Sequence, residues 1–172
     1  MTEKNIVIIG MPGAGKTSVA QAVAQKLGRK CIDIDTEIVK AHGDIPEIFE
    51  REGEAAFRAF EKEMVKKAAK ESAVVIATGG GSLLDPENTA ALKRTGTLYW
   101  ITRPLEDLAT DGRPLSKGGI ETLKKLYRDR KPIYEAAADE IVENTTIQDA
   151  ARAILAAEKL QNNKKEPPVI EL

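Results

Sequence analysis

Asn5-Ile6-Val7-Ile8-Ile9-Gly10-Met11-Pro12-Gly13-Ala14-Gly15-Lys16-Thr17 is the stretch that decides the fold. After Asn5, Ile6–Ile9 are continuously apolar and β-branched, and Gly10 stops them; Asn5–Ile9 reads as a buried strand. Lys16–Leu27, closed by Gly28, reads as a helix. Between them, Gly10 to Thr17 matches G-x-x-x-x-G-K-[ST]. Glycines let such a loop turn with its N–H groups inward, and the helix N-terminus adds further donors, so the loop surrounds a polyphosphate. Gly13, Ala14, Gly15, Lys16, Thr17 and Ser18 are the candidate phosphate contacts. Lys16 is expected at the β- and γ-phosphates, and the Thr17 hydroxyl at Mg²⁺. A glycine-rich turn without a ligand is the bland alternative.

Outward from this loop, short apolar runs alternate with helical stretches. Cys31–Ile34, Ala73–Ala77, Thr97–Ile101 and Glu140–Val142 read as four further strands. Two helical pieces follow the second strand, broken near Gly43 and Gly53. Pro86–Arg94 and Ile147–Leu160 read as helices, and Ile120–Ala137 as a helix that Pro132 kinks or restarts. The alternation implies an α/β fold, a parallel sheet covered by helices on both faces, with ligands beyond the carboxyl ends of its strands. Residues 1–160 are expected to form one domain and residues 161–172, with adjacent prolines, a frayed tail.

Composition narrows the class. With 172 residues the chain suits one compact domain; 4% aromatic residues make its core aliphatic. Net charge is −1, from 26 basic and 27 acidic residues, which argues against a nucleic-acid partner or an anionic membrane surface. No apolar run approaches the roughly 20 residues of a membrane span, and the apolar run at the start is too short for a signal peptide. Cys31 is the single cysteine, so no internal disulfide forms and a cytoplasmic setting is expected. No amphipathic surplus marks an obligate partner, and a monomer is expected.

Asp33 and Asp35 flank Ile34 at the second strand's end. In an extended chain they share a face, so both carboxylates would point into one cavity. One would serve Mg²⁺ and the other would accept the proton of an attacking hydroxyl. An exposed strand end with Asp35 as a helix cap is the alternative. Arg58 stands four residues after Glu54 and three before Glu61, within reach of both. It is either part of a solvated ion-pair face or an arginine held ready for a carboxylate ligand. Gly79, Gly80 and Gly81 exceed what a turn needs and suggest close approach by another molecule. Arg113 lies in a polar stretch that reads as a lid or an ordinary loop. Arg130 faces the site or solvent. His42 reads as a surface residue and Cys31 as a small buried one.

Taken in order, GMPGAGKT (10–17), DID (33–35), IPEIFEREGEAAFRAFEKE (45–63), ATGGG (77–81), GRPL (112–115) and RKPIY (130–134) resemble the shikimate kinases, from Asn5 to about Ala157. The resemblance implies a three-layer P-loop kinase fold with a five-stranded parallel sheet of order 2-3-1-4-5. It implies transfer of the γ-phosphate of ATP to the 3-hydroxyl of shikimate, using Mg²⁺. By the same resemblance, Lys16, Asp35 and Arg113 are catalytic, and Thr17 and Asp33 serve the metal. Asp35, Arg58, Gly79, Gly80, Gly81 and Arg130 hold shikimate. Helices within residues 36–61 carry the substrate side, and residues 108–119 form a lid. One departure is visible: the family usually carries a further basic residue several positions before RPL, near the adenine, and Leu108 to Gly112 contains none. Other small-molecule kinases, for gluconate or nucleotides, are the close rivals; a nucleotide-dependent switch is the distant one.

Overall fold

The computed structural model describes residues 3–109 and 119–164. Five parallel strands form the sheet: β1 (Asn5–Ile9), β2 (Cys31–Asp33), β3 (Val75–Ala77), β4 (Gly96–Thr102) and β5 (Glu140–Glu143). Their order is β2-β3-β1-β4-β5, as expected. Val7 pairs with Ile76 on one side and with Leu98 on the other. Every residue of β1 is buried, which explains why Ile6–Ile9 form a solid apolar run rather than an alternating one.

Helices α1 (Lys16–Leu27), α2 (Ile34–His42), α3 (Ile45–Glu52), α4 (Glu54–Lys70), α5 (Pro86–Thr95), α6 (Leu105–Ala109), α7 (Gly119–Ala137) and α8 (Ile147–Asn163) flank the sheet. Helix α1 packs against α8, and α4 packs against α5, α2 and α3. The core between them is aliphatic, with Ile6, Ile8, Ile76, Leu98 and Ile101 fully enclosed. Burial of each such side chain contributes about 1.5–3 kcal/mol. No helix among the described residues is long and apolar enough to cross a membrane.

Several expectations need correction. Strand β2 ends at Asp33 and Ile34 already opens α2, because the Asp33 side chain caps that helix by accepting from the Thr36 amide at 3.0 Å. Strand β3 begins at Val75, two residues late; Ala73 takes a left-handed φ of 58° just before it. Helix α7 runs through Pro132 without a restart. Helix α8 continues to Asn163, past the expected start of the tail, and the rest of that tail, 165–172, lies outside the described residues. Cys31 is half-buried rather than enclosed; burial and then the nearby Asp33 carboxylate push its thiol pKa up. His42 is not a plain surface residue: its ring stacks on Phe60 with centroids 3.6 Å apart.

Candidate active site

The loop between β1 and α1 is held in shape by its own lysine. Gly15, at φ 90°, caps α1 in a left-handed conformation that a side chain would strain. Lys16 is the first helical residue, is buried, and its ammonium lies across the loop, donating to the carbonyls of Gly10 at 2.9 Å and Met11 at 2.8 Å. That geometry fixes a cation beside the converging amides. Next to it, the Thr17 hydroxyl donates to Oδ2 of Asp33.

The two aspartates reach this region by a different route from the one expected. Asp33 ends the strand and Asp35 sits in the first turn of α2, so no extended i, i+2 pair exists. The strand-to-helix corner separates their tasks. Asp33 is engaged with Thr17 and the Thr36 amide, whereas Asp35 lines a cleft of about 630 Å³ that also contains Gly13, Gly15, Lys16, Thr17 and Ser18. Asp33, and not Asp35, is the helix cap.

The three glycines after β3 each admit a different neighbour. A Cβ on Gly79 would lie 2.8 Å from Oδ1 of Asp35. One on Gly80 would lie 2.7 Å from the Pro12 ring and 3.2 Å from the Arg130 guanidinium. One on Gly81 would lie 2.5 Å from the Arg58 guanidinium. The protein's own side chains already make a close approach to this turn. Glycine is required because the Asp35 carboxylate, Pro12 of the loop and both arginines converge on one turn.

Arg58 is held as its spacing predicts. Its guanidinium meets Glu61 at 3.0 Å and Glu54 at 3.7 Å. Glu61 is 2% exposed, and its second oxygen accepts from the Ser82 hydroxyl, which in turn accepts from the Gly79 amide at 2.9 Å. A buried carboxylate thus aims Arg58 at the glycine turn, with the guanidinium also over the Phe57 ring. Arg130 faces the site: it donates to the Gly80 carbonyl at 2.8 Å. Arg113 and the stretch 110–118 lie outside the described residues.

Sequence reasoning missed several contributors. Ile45, Pro46 and Phe49, inside the helices expected to carry the substrate side but not singled out there, form an apolar wall of the cleft, with Phe49 39% exposed. Tyr134 is buried under the site, with its hydroxyl 2.8 Å from the Gly80 carbonyl and 3.1 Å from that of Gly10. Burial raises its pKa, against a lowering influence from Arg130. Arg103 and Asn144, at the ends of β4 and β5, donate to the loop carbonyls of Gly13 and Ala14. No single-sequence pattern announces these last contacts.

A cleft lined by the glycine–lysine loop and the Asp35 carboxylate, beside a glycine turn that Arg58 and Arg130 approach, suits phosphoryl transfer to an acidic alcohol. Comparison with known proteins agrees. The family model for shikimate kinase matches residues 12–161. The chain is 41% identical over 172 residues to a shikimate kinase of Thermodesulfovibrio yellowstonii, covering 94% of this chain and 99% of that one. It superimposes on shikimate kinase from Acinetobacter baumannii in complex with shikimate with a TM-score of 0.87 at 34% identity, covering 96% and 97% of the two chains. A gluconokinase from Sinorhizobium meliloti shares only the fold: TM-score 0.64, 15% identity, 96% and 99% coverage. By a family match over most of its length and relatives this similar end to end, the chain belongs to the shikimate kinase family.

Proposed function

We propose that this chain transfers the γ-phosphate of ATP to the 3-hydroxyl of shikimate, giving shikimate 3-phosphate and ADP, as one domain spanning residues 1–160. The observation that supports it most is the convergence of Asp35, Arg58 and Arg130 on Gly79–Gly81, in contact with Pro12 of the phosphate loop. The acceptor that suits this site is an acid bearing a hydroxyl. Two guanidinium groups suit its carboxylate, one carboxylate suits its hydroxyl, and Ile45, Pro46 and Phe49 suit its ring.

The residues present fit Mg²⁺. Thr17 and Asp33 set a hydroxyl and a carboxylate side by side, both hard oxygen donors. Among the described residues no group of three or more His, Cys, Asp or Glu could hold a metal alone, which suits an ion carried mainly by phosphates and water. When bound, Mg²⁺ supplies neutralising charge at the polyphosphate.

The protein's share of the chemistry is position and charge. Lys16 and the loop amides stabilise negative charge on the transferring group. Asp35 accepts a hydrogen bond from the acceptor hydroxyl, orients it, and takes its proton as the new bond forms. Arg58, fixed by Glu61, and Arg130, fixed by Gly80, hold the acid so that one hydroxyl is presented. Arg113 is assigned to the phosphates on the family pattern alone. The working form proposed is a cytoplasmic monomer. A coupled ADP-release assay tests the reading: shikimate should drive turnover, and gluconate, other sugar acids and nucleoside monophosphates should not. ADP release indifferent to shikimate would refute it.

A further inference from the structure

A phosphate cradle needs peptide N–H groups facing inward, and a trans peptide whose N–H faces in sends its C=O out. Those outward carbonyls must be satisfied, or the peptide planes are free to turn. Here the partners of four loop carbonyls are visible, two of them meeting the loop's own lysine. Lys16 and Tyr134 meet the Gly10 carbonyl, and Lys16 and the Ala14 amide meet that of Met11. The Gly13 carbonyl accepts from the Arg103 guanidinium at 3.0 Å, and the Ala14 carbonyl accepts from the Asn144 side-chain amide at 2.7 Å.

Asn144 is the most constrained of these donors. It is 7% exposed and follows β5 directly. Its own backbone N–H is tied to the Thr102 carbonyl at 2.8 Å, so it is anchored to the end of β4. A Cβ on Gly15 would lie 2.6 Å from its Nδ2. The peptide it grips joins Ala14 to Gly15. Holding that carbonyl outward turns the Gly15 N–H toward the cradle. A carbonyl can only accept, so the side chain must present its NH₂.

We infer that Asn144 is a positioning residue for the nucleotide: from the carboxyl end of β5 its side chain fixes the Ala14–Gly15 peptide plane, whose Gly15 amide binds phosphate, while Arg103 at the end of β4 braces the adjoining Gly13 carbonyl. The inference rests on the part of the proposed function that gives the loop a nucleotide, and on no statement about the acceptor. It also gives the sheet a direct part in nucleotide binding, since the loop's shape depends on two strand ends remote from it in sequence.

The test is titration of ATP into the full chain and its variants, followed directly by calorimetry. Asn144→Asp keeps the shape and replaces a donor with a carboxylate facing a carbonyl oxygen. It should weaken ATP binding about tenfold or more, and Asn144→Ala by somewhat less. Arg103→Ala should also weaken it, and Arg103→Lys should restore part of the loss. The thermal midpoint of each variant is measured alongside, and binding is read where all are folded. If turnover is present, KM for ATP should rise while KM for the acceptor stays within about twofold. Folded variants of Asn144 that bind ATP like the wild type would overturn the inference, whatever their stability. ATP binding with no acceptor turnover in the wild type would refute the proposed function and leave this inference standing.

Discussion

The Asp35 carboxylate lies so close to the Cα of Gly79 that a methyl group added there would stand 2.8 Å from Oδ1. The same methyl would stand 3.1 Å from Oε2 of Glu61, so it meets together the proposed base and the carboxylate that holds Arg58. Gly79→Ala is therefore expected to displace both ends of the acceptor site without touching the phosphate loop. Displacements of about 1 Å at a reacting centre cost on the order of 100-fold. Steady-state kinetics should show kcat per acceptor KM falling by that order, with KM for ATP changed less than about threefold.

Glu61 and Arg58 should be separable by their effects. Arg58→Ala removes the proposed carboxylate contact and should raise the acceptor's KM by about tenfold or more, with ATP's KM little changed. Equal effects on both would contradict its assignment. Glu61→Ala leaves Arg58 and Ser82 without their buried partner. Because Arg58 is 30% exposed, the loss of stability should be about 1–3 kcal/mol, below that of a fully buried pair. A thermal melt measures it, and the acceptor's KM should rise in parallel.

Lys16→Met should abolish turnover while the chain still folds. The ammonium bridges the Gly10 and Met11 carbonyls and supplies the fixed charge beside the loop amides. Loss of a charge of this kind costs about 10²–10³ or more in kcat. Circular dichroism confirms folding, and a coupled assay reads activity.

Alkali should unfold the protein through its tyrosines. The hydroxyls of Tyr99 and Tyr134 both have pKa values raised above the ordinary tyrosine value of 10.0, chiefly by burial and, for Tyr99, also by its bond with Glu158. A folded-state pKa above the unfolded one means that the unfolded chain releases its proton first. Stability is therefore intact below about pH 10 and falls as pH rises beyond it. Thermal midpoints measured from pH 8 to 11.5 should drop above pH 10, and Tyr99→Phe should make the drop shallower.

Much of this was legible in the sequence because it is carried by local pattern. The solid apolar run of β1, the glycine–lysine loop and the Glu54–Arg58–Glu61 spacing are properties of neighbouring residues, and each appears as read. The sheet order came through resemblance, since strand adjacency between β2 and β3 spans roughly forty residues of mostly helical chain. Asp33 misled because an extended chain and a helix cap use the same residue types. Here Asp33 takes the cap role, accepting from the Thr36 amide, and Ile34 opens the helix. Asn144, Arg103 and Tyr134 were illegible for another reason. Their contacts with the loop cross 90 to 130 residues and use ordinary polar side chains in no motif.

The most direct test of the whole account is Asp35→Asn, with nucleotide binding and turnover measured on the same preparation. The amide keeps the size of the side chain beside Gly79 but cannot take the acceptor's proton. ATP should bind within about twofold of the wild type, and shikimate-dependent ADP release should fall by about 10²–10⁴. An Asp35→Asn enzyme that turns over at the wild-type rate would contradict the central claim that this carboxylate activates the hydroxyl.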